Sequence, residues 1–291
     1  MRRKSESGQA LVLVLLSLAV VLTIVLYILS RSITDVSVSS GQADSVRAFS
    51  AAEAGIENAL VIGTGSGTST DIGSATYKSS VTALASTQNF AYPAPLLSGD
   101  SMTTWFIAHD SDGNMICDST HQCFTGTSMN VCWGNSGTVS DSATTPAIEI
   151  SIYYETSPGV VSTAEIARAA YDPNSIRASS NSFASPDSGA CSWDTSFAFQ
   201  KTINFSDLKI PSAVYTTQNG LIFARIKLLY NTDVAHSVGV SVTGSALPSQ
   251  GINYSSTGSY GNSNRKINVF QGWPEFPFGG NSIFSPAGLT K

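Results

Sequence analysis

An uncharged run of twenty residues, Ala10 to Leu29 (ALVLVLLSLAVVLTIVLYIL), constrains this chain more than any other feature. At 1.5 Å of rise per residue, a helix of that length covers ~30 Å, the thickness of the hydrocarbon core of a bilayer. Arg2, Arg3 and Lys4 precede it and only Arg31 closely follows. The positive-inside rule therefore keeps the N-terminus in the cytoplasm and sends everything after Leu29 outside. A cleaved secretory signal has a shorter apolar stretch, ~7–15 residues, and Leu29-Ser30-Arg31-Ser32 is a poor cleavage site. The expected location is the cytoplasmic membrane, single-pass, N-in and C-out, with segment 10–29 crossing.

The helical pattern continues past the membrane edge. Ile33, Val36, Ala43, Val46, Phe49, Ala52, Ile56 and Leu60 recur at spacings of three, four or seven, which predicts one apolar packing stripe. One helix is thus expected over 9–62, roughly 80 Å long, with Gly41 as the point of bending or local melting. Ala51, Gly55 and Ala59, at intervals of four, form a small-residue strip. Such a strip allows close approach either to neighbouring helices or to the chain's own globular domain.

This arrangement, together with the leader MRRKSESG and the segment Ala51-Ala52-Glu53-Ala54-Gly55, resembles the N-terminal region of type IV pilins and of the pseudopilins of type II secretion, most closely minor pilins. The resemblance covers about Arg2 to Leu60. It implies an α+β, type IV pilin-like fold, in which a long N-terminal helix packs on an antiparallel sheet. It also implies processing between Gly8 and Gln9 by a prepilin peptidase, with methylation of the new amine. Removing residues 1–8 takes three of the 15 basic residues and one of the 20 acidic ones, leaving a side-chain charge of −7. Most pilins carry Glu at the fifth mature position, and here that position is Leu13. A carboxylate inside a bilayer is costly unless paired, so Leu13 removes both the pairing and the cost. The resemblance then implies a minor structural subunit, suited to a filament tip or initiation complex, in an extracellular or periplasmic filament. The partners it implies are other pilins or pseudopilins, the inner-membrane assembly platform and a surface ligand. The alternative is an uncleaved, membrane-anchored surface adhesin or binding domain.

After Ile62 the tract GTGSGTSTDIG is too poor in apolar residues to pack, and 63–74 reads as a linker. From about Ala75 the period becomes two, which predicts a β-rich extracytoplasmic domain over 75–291. Trp105 to His109 and Met115-Ile116 flank Asp110-Ser111-Asp112-Gly113-Asn114 as a hairpin. Further strands are expected at 148–154, 160–171, 196–205, 221–230, 238–243 and 266–270, the last three as a closing meander. The region 178–189 reads as a surface excursion. Trp273-Pro274-Glu275-Phe276-Pro277-Phe278 cannot lie in a central strand and reads as a tail whose rings cap the sheet.

Cys117, Cys123, Cys132 and Cys191 all follow the apolar run, and outside the membrane they allow two disulfides in three connectivities. Cys117 with Cys123 and Cys132 with Cys191 is preferred, because the first closes a short loop and the second staples the excursion. A metal site of Cys117, His121, Cys123 and Cys132 matches no standard zinc spacing. Asp110, Asp112, Asn114 and Asp118 follow a calcium loop for part of its length, but Gly113 falls two places early and the bidentate Glu is missing. A hairpin turn explains the same residues. His109, His121 and His236 are far apart and no nucleophile elbow, HExxH or phosphate loop accompanies them, so no enzyme, metal or cofactor is expected. Only 12% of residues are charged, against ~25% in soluble domains, and the net charge is −5, which argues against a nucleic-acid partner.

Overall fold

The computed structural model describes residues 7–84 and 87–274. In chain order its elements are α1 (Ser7–Ile62), β1 (Thr70–Ile72), β2 (Ala75–Ala83), β3 (Asn89–Ala91), β4 (Ser101–Trp105), β5 (Ala108–His109), β6 (Met115–Ile116), β7 (Gly126–Asn135) and β8 (Ala147–Glu155). There follow β9 (Ala164–Tyr171), α2 (Ser175–Asn181), β10 (Phe197–Asn204), α3 (Ser212–Thr216), β11 (Leu221–Leu229), β12 (Val238–Gly244), β13 (Gly251–Tyr260) and β14 (Ser263–Gly272). The layout is α+β, a long N-terminal helix with antiparallel sheets. The chain divides into two compact units, one of residues up to Val81 with Tyr254–Val269, the other of Thr82–Asn253 with residues from Phe270.

The first unit carries α1 on a four-stranded sheet ordered β1-β2-β13-β14. Helix and sheet meet through small residues. Ala48, Ala51, Ala52, Gly55 and Ala59 are buried on the helix. A Cβ added at Gly258 would collide with the backbone of Ala48 and Ala52, and one at Gly55 with Ser256 and the Tyr77 ring. No side chain larger than hydrogen fits at Gly258, so the two backbones touch there. Around this seat Arg47 hydrogen-bonds the Tyr260 hydroxyl and lies over its ring, and Arg265 Nε donates to Ser45 Oγ at 2.7 Å. The helix runs unbroken through Gly41, which therefore does not melt the ladder.

The 63–74 tract is not a plain linker, because its last residues form β1, paired antiparallel with β2. Ser66 and Ser79 exchange backbone-to-hydroxyl hydrogen bonds at 3.0 and 2.9 Å, which gives this polar tract the partners that apolar packing could not.

The second unit is a β-sandwich of two four-stranded antiparallel sheets, β10-β7-β12-β3 and β4-β11-β8-β9. Met129, Val131, Trp133, Val238 and Val240 of the first sheet and Ile148, Ile150, Ile152, Ile226 and Leu228 of the second share one core. Trp133 is fully buried, and its indole N–H donates to the Pro146 carbonyl at 2.9 Å. The expected closing meander is absent: its three strands, β11, β12 and β14, lie in three different sheets. The buried faces of β11 and β12 lie in opposite layers of the sandwich, so their connection crosses between sheets rather than turning within one. The 178–189 excursion is also more ordered than its composition suggests. It begins inside α2, capped by the Asn174 side chain, and is tied down by bridges from Ala184 to Tyr171 and from Asp187 to Gln200.

Candidate functional site: the exposed faces of the N-terminal helix

The span 11–29 of α1 is exposed on all sides, and the helix is long and apolar enough to cross a membrane. Its few polar groups satisfy themselves. Ser17 donates to the Val14 carbonyl at 2.9 Å and Thr23 to the Val20 carbonyl at 2.8 Å, so neither hydroxyl needs water. Tyr27 and Arg31 sit where the run ends, the residue types that anchor a helix at a lipid–water boundary.

The residues expected to form one packing stripe differ in burial. Ala52 and Ile56 are buried on the chain's own sheet, whereas Ile33, Val36, Val46, Phe49 and Leu60 are exposed. The stripe is thus covered by the chain's own sheet only in part. Ala48 and Ala52 stand where the helix backbone meets Gly258, which leaves no room there for a larger side chain, whereas Ile56 is buried one turn farther along. The small-residue strip Ala51, Gly55 and Ala59 is used internally. Leu13 is exposed among other apolar residues. Gly8 and Gln9 lie in the first turns of α1, and residues 1–6 of the leader lie outside the described residues.

Two disulfides, Cys117–Cys123 and Cys132–Cys191, are formed in the preferred connectivity. The first closes the loop beside the β5–β6 hairpin, whose turn uses Gly113 at φ 82°. The acidic residues there are occupied by the turns themselves. Asp110 Oδ1 accepts from the backbone N–H groups of Asp112 and Asn114, each at 2.9 Å, and Asp118 Oδ1 from those of Thr120 and His121 at 2.8 and 2.7 Å. Hydrogen bonds from Asn114 hold the Asp110 carboxyl below the usual range, as those from Thr120 and His121 do for Asp118. Among the described residues no group of three or more His, Cys, Asp or Glu could hold a metal ion.

His109 is buried between two indoles, edge-on to Trp105 at 4.6 Å and stacked on Trp273 at 4.8 Å. Burial pushes its pKa down to about 4. Trp273 thus covers a ring, while Glu275-Phe276-Pro277-Phe278 lie outside the described residues. A constellation that sequence reading missed is the loop cleft around Ser142, Thr144, Asp233 and His236. About ninety residues separate its two halves, and no local pattern joins them. Comparison with protein-family models, with curated proteins and with solved structures finds no match for this chain.

Proposed function

We propose that this chain is a type IV pilin-like structural subunit of the minor class, working in a bacterial pilus or the related filament of type II secretion. One observation carries the reading: a single 56-residue helix is apolar and exposed over residues 11–29, and beyond residue 44 it buries a face made of small residues and Ile56, leaving Val46, Phe49 and Leu60 exposed. A tether needs the first half alone. A subunit that packs among like helices needs an outward apolar face beyond the membrane as well.

In this reading a prepilin peptidase cuts after Gly8, and Gln9 becomes the methylated mature terminus. The helix waits in the cytoplasmic membrane until the inner-membrane assembly platform passes it into a bundle of pilin or pseudopilin helices. Lipid contacts are exchanged for helix contacts, and with Leu13 in place of the usual Glu no lone carboxylate is stranded in the apolar bundle. That suits a tip or initiating position, with the sandwich serving priming, adhesion or partner contact rather than catalysis.

Mass spectrometry of the N-terminus tests the reading. Protein from sheared surface fibres or envelope should begin at Gln9, and Gly8→Asp should trap the leader-bearing form in the membrane. Recovery of an intact chain only as a membrane resident, never with a fibre or pilin complex, overturns it in favour of a permanently anchored adhesin.

A further inference from the structure

Three loops of the sandwich, 135–139 after β7, 142–145 before β8 and 233–236 before β12, enclose a cleft of about 420 Å³. His236 lines it and is buried, only 6% exposed. Its Nδ1 accepts the backbone N–H of Asn135 at 3.0 Å. A neutral imidazole whose Nδ1 is an acceptor carries its proton on Nε2, so the remaining nitrogen is a fixed donor. Among the described residues Nε2 has no hydrogen-bond partner. Burial keeps the ring below the ordinary histidine range, although Asp233 pulls the other way.

Asp233 supplies the acceptor. Thr144 Oγ1 donates to its Oδ2 at 2.9 Å and the Val234 N–H to its Oδ1 at 2.9 Å, which orients the carboxylate and leaves lone pairs on both oxygens. These bonds, that of Thr144 foremost, hold its carboxyl below the usual range. Val139 and Val234, about half exposed, give the cleft an apolar wall.

The pairing selects a ligand class. A metal ion would need a lone pair on Nε2, where there is a proton. An anion is repelled by Asp233, and a cation meets the His236 N–H. A hydroxyl both donates and accepts, so a vicinal pair satisfies Asp233 and His236 together while ring C–H groups rest on the valines. We propose that this cleft binds a neutral saccharide, held by a hydroxyl pair between the Asp233 carboxylate and His236 Nε2. The inference needs only the sandwich and does not depend on whether the chain enters a filament.

The test uses the full-length protein in lipid nanodiscs, with saturation-transfer NMR and titration calorimetry against glucose, galactose, mannose, N-acetylglucosamine and their neutral disaccharides. At least one should bind in the ~mM range, and Asp233→Asn and Val234→Trp should each weaken it roughly tenfold or more. Both positions are exposed, so the variants should fold; circular dichroism checks this. The proposal is overturned if no neutral sugar binds at tens of millimolar, if binding survives either variant, or if only charged sugars bind.

Discussion

The two units are assembled from residues of opposite size. The sandwich closes on Trp133, Phe106, Phe124, Ile150 and Ile226, all fully buried. The helix is seated through Ala48, Ala51, Ala52, Gly55 and Ala59 against Gly258 and Ser256. Large side chains hold two sheets ~10 Å apart and gain stability from apolar area. Small ones bring two backbones into contact and gain closeness of fit instead. The helix seat therefore holds α1 mainly through small residues, with Ile56 the one large apolar side chain of the described helix that is buried, and Val46, Phe49 and Leu60 stay exposed.

The sandwich should be the more costly unit to damage. Trp133→Ala removes a fully buried indole and strands the Pro146 carbonyl. Chemical denaturation should show a loss of about 3–5 kcal/mol. The disulfides should rank by loop length: Cys132–Cys191 spans 59 residues and Cys117–Cys123 only 6. The chain-entropy estimate gives about 4 kcal/mol for the first and about 2 for the second, read by unfolding the paired Cys→Ser variants. Equal losses would mean that loop closure is not what these bridges supply.

Gly258→Ala is the matching probe of the helix seat. The added methyl meets the Ala48 and Ala52 backbone, which has no rotamer to yield. An overpacking loss of about 1–3 kcal/mol is expected. Hydrogen exchange should place it in residues 44–60 and leave the sandwich protected. A loss spread evenly over both units would erase the contrast between them.

The same contrast explains which parts of the fold were legible. The helix, β8, β11 and β12 declare themselves by apolar periodicity, because their partners are large side chains in a conventional core. The strand β13 does not. Its buried positions are Gly251, Tyr254, Ser256 and Gly258, and Gly258 is set by a helix backbone that leaves no room for an apolar group. The strand that seats the helix is thus the one whose signal that seating removes. For β7, buried Cys132 sits beside Val131 and Trp133, so alternation is lost where the outer face is covered by a disulfide. The cleft at Asp233 and His236 was illegible for another reason, since it exists only once loops distant in sequence converge.

Acid should act on the sandwich, since all three histidines belong to it. His109 is held at about 4 by burial, below its ordinary 6.5, with Asp110 opposing. Between those values the unfolded chain binds a proton that the folded chain does not. Its contribution is therefore complete above pH 6.5 and is lost as pH falls toward 4. His109→Phe keeps a ring between Trp105 and Trp273 and removes the proton site. Its melting temperature should drop less than the parent's between pH 7 and 4, and the residual slope reports His236 together with the carboxylates held low in the fold, Asp172 and Asp187 among them, which act in the same direction.

The smallest stability effect belongs to the outward residues that the proposed assembly would use. Phe49 and Val46 are exposed at 45% and 65%, so Phe49→Ser and Val46→Ser should each shift unfolding by no more than about 0.5 kcal/mol. Incorporation into fibres should nevertheless fall, because these side chains are the outward apolar face of the distal helix. If either change destabilised the isolated protein as much as Gly258→Ala, that face would be holding the unit together rather than waiting for a neighbour. If both were silent in stability and in fibre incorporation, the distal helix would have no outward task, and a simple tether would explain the chain as well.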